Sequence, residues 1–494
     1  MSSDAEPPGN DITVYPAREL LARLRGGRLT SRHLLEALLE RVERLNPPLN
    51  AVVTLDAERA REAADAADAH RQAGGPAGPL YGLPMTVKDT FETAGLRTTG
   101  GTTQYAEHVP ETDAVAVRRL REAGAIVFGK TNTPAWAADL QTYNEVFGTT
   151  RNPWDPGRSC GGSSGGSAAA LAAGLTPLEL GSDIGGSIRG PAHYCGVYGH
   201  KPTWGIVPER GHIPGPPGTL APGDLSVAGP LARSAGDLEL MLEILAGPEG
   251  DMARGWRLEL PPPRAGRLGD FRVAAWLDDP RVPVDGAVGD VLQQALDSLA
   301  RAGARIDARA RPPFSLAEAF RDYLRLLYPV TTAGLPQATL ERLARRAREL
   351  PPDADGFAAR LARYGTQSHH EWLAANEARY RYRAAWAAFF RDCDVLLCPV
   401  TPVEAVPHDH SQDSLARTIV VNGEQRNYWE QLGWVGLATL PGLPATSAPA
   451  GRSARGLPVG IQIIGPFLED RTCLAFARCL AEVIGGFEAP PGYG

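Results

Sequence analysis

Residues Cys160 to Arg189 read CGGSSGGSAAALAAGLTPLELGSDIGGSIR. An alanine-rich helical run lies between two glycine–serine clusters. Each cluster offers small side chains, hydroxyls and backbone N–H groups. Glycine lets the chain turn tightly and present consecutive N–H groups in one direction. Such groups can stabilise the oxyanion of a tetrahedral acyl intermediate, where one donor is typically worth about 3 kcal/mol. A glycine turn between a strand and a helix is the plainer reading of Gly185-Gly186-Ser187 alone. For Gly161 to Ser167 three readings stand side by side: a flexible linker, a phosphate cradle at a helix N-terminus, or a rigid loop that presents a serine hydroxyl as a proton relay. No G-K-[ST] follows the glycines, so the pattern of a P-loop is missing.

A serine is a weak nucleophile until a base takes its proton. Histidine is the usual base, and His193 and His200 lie near Ser187 in sequence, but neither spacing carries a geometric warrant. Lysine is the other candidate. The 50 basic residues include only three lysines, Lys88, Lys130 and Lys201. Arginine cannot give up its proton in a protein, whereas lysine can, so a lysine in so arginine-rich a chain marks a position worth weighing. Lys88 ends the apolar stretch Leu83 to Lys88. To act near pH 7–8 its pKa has to fall by two to three units from about 10.4, which burial can do.

Around this stretch, strands alternate with helices. Leu83–Lys88, Ala125–Phe128, Leu178–Gly181, Phe271–Leu277, Asp394–Cys398, Ala445–Pro449 and Gly460–Ile464 read as strands. Tyr15–Arg25, Ser31–Leu45, Asp56–Gln72, Ala114–Ala123, Ser167–Ala173, Ser234–Ala246, Val288–Ala302 and Arg471–Ile484 read as helices. Residues 315–391 read as a helical block, Pro202 to Pro230 as a long ordered loop, 401–430 as irregular, and 1–10 as disordered. This pattern predicts an α/β fold. With no internal repeat and no low-complexity linker, residues 1–494 are expected to form one large domain.

Net charge is -7, with hydrophobic residues at 43% and charged residues at 22%. A soluble protein without a nucleic-acid or membrane partner is expected, since either partner favours a basic face. No apolar run approaches the ~20 residues that span a bilayer. The N-terminus has no signal-peptide pattern, and the six cysteines form no C-x-x-C pair. A cytoplasmic location with reduced thiols is the expectation. His369-His370 and His408-Asp409-His410 lack zinc-site spacing, so no metal and no cofactor is expected.

Taken together, the motifs resemble those of the amidase signature family of serine hydrolases. The matching elements are Val87-Lys88-Asp89, Gly129-Lys130-Thr131-Asn132, Phe147-Gly148, Asn152-Pro153, the whole of Gly161–Arg189, His200-Lys201-Pro202-Thr203, Gly229 to Ser234, Leu440 to Pro444 and Gly460-Ile461-Gln462. They span nearly the whole chain, and Ser163 and Ser187 stand 24 residues apart, as in the family. The resemblance implies a central twisted mixed β-sheet flanked by helices on both faces, with a signature core over about 80–250 and a helical addition over about 315–391. It implies Ser187 as nucleophile, Ser163 as the bridging serine after a cis peptide bond, and Lys88 as the base. The backbone N–H groups of Ile184, Gly185, Gly186 and Ser187 are implied as the oxyanion hole, and Asp183, Arg189 and Ser164 as residues that brace the loop.

The implied activity is hydrolysis of the C–N bond of a small or medium uncharged amide through an acyl-enzyme, a Ser–Lys variant of triad logic. Aryl acylamides and carbamates fit an aromatic surrounding, for which Trp136, Leu140, Tyr143, Trp434 and Leu437 are the pocket candidates. The expected partner is a small-molecule amide, and a homodimer is compatible with the sequence. Several positions depart from the family pattern. Ala135 stands where many members carry Glu, and Cys160 where proline is common. Trp204-Gly205-Ile206-Val207 replaces the tyrosine–glycine–arginine–valine pattern of the tRNA-linked glutamine amidotransferase subunits. The Gly211–Asp224 loop is also longer than theirs. A glutamine-dependent amidotransferase component releasing ammonia for a partner protein is the alternative.

Overall fold

The computed structural model describes residues 11–213 and 215–494. The expected disorder of residues 1–10 lies outside them. Eleven strands form one mixed sheet: β1 (Val52–Leu55), β2 (Pro84–Lys88), β3 (Ile126–Thr131), β4 (Leu178–Asp183), β5 (Tyr198–Lys201), β6 (Val227–Ala232), β7 (Arg272–Ala275), β8 (Arg305–Asp307), β9 (Val395–Pro399), β10 (Ala445–Arg452) and β11 (Pro458–Ile464). Across the sheet they run β1-β3-β2-β4-β6-β5-β10-β11-β9-β7-β8. β2 pairs parallel with both β3 and β4, whereas β4 with β6 and β10 with β11 are antiparallel. The strands β2, β3, β4, β6, β9 and β11 are buried at every position. Burial on both faces accounts for the largely apolar sequences of β9 and β11. Helices cover the sheet, among them Ala57–Gln72 against β3 and Gly286–Arg301 against β10 and β11.

Several element boundaries differ from the sequence reading. The second helix extends to Leu49, past Pro47 and Pro48, and ends at Asn50 in the left-handed region with φ 54°. The reading of Pro202–Pro230 as a loop fails at its end, where Val227–Ala232 is the interior strand β6; Pro230 sits opposite Leu180 of β4 there. Within 401–430, Thr418–Val421 and Glu424–Asn427 pair as a hairpin. Two fully buried helices had no amphipathic signal to betray them, Arg189–Cys195 and Leu432–Thr439. The helical block appears as Leu316–Thr332, Gln337–Glu349, Phe357–Tyr364 and His369–Phe389. Its first helix packs on Leu432–Thr439 and so reaches the middle of the molecule.

Candidate active site

The parallel pairing of β2 with β4 decides the site. Both strands end at the same edge, so Lys88 at the tip of β2 comes beside Ser182 and Asp183 at the tip of β4. Lys88 is fully buried. Its Nζ donates to Ser163 Oγ at 2.7 Å and to Ser182 Oγ at 3.0 Å. Burial lowers its pKa to about 7, against the opposing pull of Asp183 and Glu179. A lysine in this position holds a free amine in appreciable fraction at neutral pH. Lys130 and Lys201 are fully buried too. They are tied to structure, Lys130 to the Phe91 carbonyl and the hydroxyls of Thr93 and Thr98, and Lys201 to the Pro202 carbonyl.

Ser163 follows a cis peptide bond from Gly162. The helix after it begins at Gly165, earlier than the expected Ser167. The glycines are needed for contact: a Cβ on Gly166 would lie 2.4 Å from the backbone nitrogen of Asn132. Ser164 ties the two serine loops together. Its N–H donates to the Ser187 carbonyl at 3.1 Å, and its hydroxyl to the Ser182 carbonyl at 3.3 Å.

Ser187 precedes the helix Arg189–Cys195 and is 5% exposed. Gly186 has φ +88°, a conformation that glycine adopts without strain. The loop is shaped by Asp183, whose carboxylate accepts from the N–H groups of Gly186 (2.9 Å), Ile188 (3.1 Å) and Arg189 (3.3 Å). Arg189 donates to the same carboxylate from Nε and Nη2 at 3.0 and 2.8 Å. Burial alone would raise the Asp183 pKa, but the Arg189 guanidinium and these bonds bring it down to about 2. Arg189 also donates to the Val435 carbonyl, Gln462 Oε1 and Thr439 Oγ1. One guanidinium therefore joins the serine loop to the Leu432–Thr439 helix and to β11.

The Gly186 N–H is thus spent on Asp183. Of the four backbone groups expected in an oxyanion hole, Ile184, Gly185 and Ser187 are the ones whose N–H groups carry no such bond among the described residues. The loop has one further brace that the sequence reading missed. Tyr323, from the helical block, donates to the Ile184 carbonyl at 2.7 Å.

The histidines are used elsewhere. His193 accepts from the Gly460 N–H at 2.7 Å and donates to the Val403 carbonyl at 3.1 Å, and burial lowers its pKa to about 4. His200 contacts Thr446 Oγ1 and Asp470 Oδ1. Among the described residues, no group of three or more His, Cys, Asp or Glu side chains is placed to hold a metal ion.

A narrow cleft with about 20 Å³ of enclosed volume lies between the two serine loops. Gly161, Gly162, Gly185, Gly186 and Gly190 form its floor, with Leu140 and Val435 as apolar walls and Tyr194, Thr401 and Gln431 as polar ones. Of the five pocket candidates, Leu140 lines this cleft. Trp434 and Leu437 are core residues, 0% and 1% exposed, and the Trp434 indole donates to the Val282 carbonyl and packs edge-on to Trp276. Trp136 packs on Tyr105, and Tyr143 stacks on His410. No charged side chain is among the described residues that line the cleft.

A mixed α/β sheet thus brings a buried lysine together with two glycine–serine loops. The Amidase family profile matches residues 33–474. The chain is 37% identical to a glutamyl-tRNA(Gln) amidotransferase subunit from Thermus thermophilus, over 94% of this chain and 97% of that protein. It is 32% identical to indoleacetamide hydrolase of Bradyrhizobium diazoefficiens, over 94% of this chain and 85% of that protein. A solved bacterial aryl acylamidase of the amidase signature family superposes with a TM-score of 0.79 at 26% identity, covering 95% of this chain and 96% of that one. The protein belongs to the amidase signature family, whose members are hydrolases acting on amide C–N bonds.

Proposed function

We propose that the chain is a stand-alone amidase that cleaves small or medium neutral amides through an acyl-enzyme on Ser187. The observation that carries this reading is the 2.7 Å contact of Lys88 Nζ with Ser163 Oγ at a fully buried site. Once neutral, the Lys88 amine accepts the Ser163 proton, and Ser163 accepts that of Ser187 as Ser187 Oγ attacks the amide carbon. The N–H groups of Ile184, Gly185 and Ser187 stabilise the oxyanion. The proton returns through Ser163 to the leaving nitrogen, the C–N bond breaks, and water then hydrolyses the ester by the same relay. The uncharged lining of the cleft favours a neutral substrate, because a bare charge there would lose its hydration without a partner.

A second reading has a specific observation in its favour. The 37% identical relative belongs to an amidotransferase, and a glutaminase delivering ammonia to a partner would use the same relay. Against it stand the uncharged cleft and Trp204-Gly205-Ile206-Val207. The two readings separate in one assay: purified chain alone is given glutamine and a panel of anilides, carbamates and primary amides, with free amine and ammonia detected. Turnover of neutral amides without a partner is expected. Glutaminase activity that appears only with an added amidotransferase partner would favour the second reading.

A further inference from the structure

Residues 139–142 lie directly against the loop that carries Ser163. A Cβ on Gly162 would come within 2.6 Å of the Asp139 carbonyl oxygen, 2.7 Å of the Gln141 nitrogen and 2.8 Å of the Leu140 carbonyl carbon, so only glycine lets the two backbones meet. Thr142 Oγ1 donates to the Gly161 carbonyl at 2.9 Å. The side chains of this segment are held by residues far along the chain. Asp139 accepts from Arg417 Nη1 at 2.6 Å and from the Tyr428 hydroxyl at 2.7 Å, and also from the nearby Tyr143 hydroxyl at 3.1 Å. Arg417 donates in addition to Tyr143 Oη at 2.7 Å and, from Nε, to the Ser411 carbonyl at 2.9 Å. Gln141 Nε2 donates to the Asp409 carbonyl at 2.8 Å, and its Oε1 accepts from the Asp409 N–H at 3.1 Å. The Arg417 side chain is 2% exposed and that of Asp139 11%. An exposed pair would be too weak to fix a loop, whereas a sheltered pair with this many hydrogen bonds is costly to break.

We propose that Asp139 and Arg417 are positioning residues for the relay: their ion pair clamps residues 139–142 onto Gly161 and Gly162 and so holds the Ser163 hydroxyl at Lys88 Nζ. This role rests on the Ser163 relay of the amidase reading. Leu140, the apolar wall of the cleft, stands between the two clamped residues Asp139 and Gln141 and is fixed with them. Tyr143, a pocket candidate from the sequence, serves this clamp through its hydroxyl.

The rate at which an activated aryl phosphonate labels Ser187 reads the relay without a known substrate. Asp139→Asn keeps the shape of the side chain and replaces one acceptor oxygen by an NH2 that meets donors. With Ser163 in place it is expected to slow labelling by about tenfold or more, since a 1 Å misplacement can cost about a hundredfold. In a Ser163→Ala background the same substitution is expected to cost less than about twofold, because no hydroxyl is left to position and the two effects do not add. A general loss of packing would slow both backgrounds alike. Tyr428→Phe removes one donor to Asp139 and keeps the ring; it repeats the cycle with a smaller step and decides it if Asp139→Asn does not fold. Equal slowing in both backgrounds, or no slowing with Ser163 in place, overturns the clamp. Failure of the relay reading looks different: Ser163→Ala is then labelled as fast as wild type, or no label reaches Ser187.

Discussion

Lys88 Nζ lies 2.7 Å from Ser163 Oγ across 75 residues of chain, and neither group is accessible to solvent beyond 1%. The contact exists because β2 and β4 are parallel neighbours that end at one edge of the sheet. Its consequence for catalysis is that the lysine has to work as a free amine. Lys88→Arg keeps the positive charge but removes the ability to accept a proton at any working pH. Its activity is expected to be as low as that of Lys88→Ala, a loss of at least about a hundredfold from removing a general base. Steady-state rates of the two variants check this, and substantial activity in Lys88→Arg would remove Lys88 from the relay.

The pH dependence follows from the same burial. The lysine pKa is lowered to about 7, and the protonated form is inactive. The kcat/KM profile is therefore expected to fall about tenfold per unit below pH 7 and to level off above it, since only the unprotonated fraction reacts. A profile of kcat/KM between pH 5 and 9 reads this directly. A flat profile would speak against the assignment.

Asp183 and Arg189 form a fully buried ion pair. Removing one partner leaves the other charge uncompensated, which typically costs about 3–5 kcal/mol. Asp183→Asn is expected to lower stability by that order in chemical denaturation and to disorder the Ser187 loop. The Asp183 pKa is held at about 2, below its ordinary 3.8. The carboxylate's contribution is thus present above about pH 4 and is lost as pH falls through 2, so wild type and Asp183→Asn should converge in stability at the acid end.

Tyr323→Phe tests the brace from the helical block. It deletes the donor to the Ile184 carbonyl while keeping the ring. A buried carbonyl left unpaired costs about 1–3 kcal/mol. Stability is expected to drop by that amount, and kcat to drop with it because Ile184 belongs to the loop that carries Ser187. Unchanged stability and kcat would show that the brace is idle.

The parts of this site that could be read in the sequence are those where chemistry restricts the residue type. Lys88 stood out as one of three lysines among 50 basic residues, and Ser163 and Ser187 stood out in glycine-rich settings that few side chains tolerate. Ser182 and Tyr323 were not legible. Their roles depend on which strand lies beside β2 and on how the helix Leu316–Thr332 packs on Leu432–Thr439, and local sequence carries neither fact. The same limit explains the pocket. Trp434 and Leu437 lie on a helix buried on all sides, where hydrophobicity cannot tell core from cleft, whereas Tyr194 and Gln431 face each other across 237 residues. The helices Arg189–Cys195 and Leu432–Thr439 were missed for the same reason, since a uniformly buried helix has no polar face to give it a period.

The most direct test is covalent. Intact-protein and peptide mass spectrometry after reaction with an activated serine-directed phosphonate, or after rapid quenching with a slow-deacylating aryl ester, identifies the nucleophile. One adduct is expected, on the peptide containing Ser187, absent in Ser187→Ala and formed much more slowly in Lys88→Ala and Ser163→Ala. An adduct on another residue, or amide hydrolysis undiminished in Ser187→Ala, would contradict the relay from Lys88 through Ser163 to Ser187.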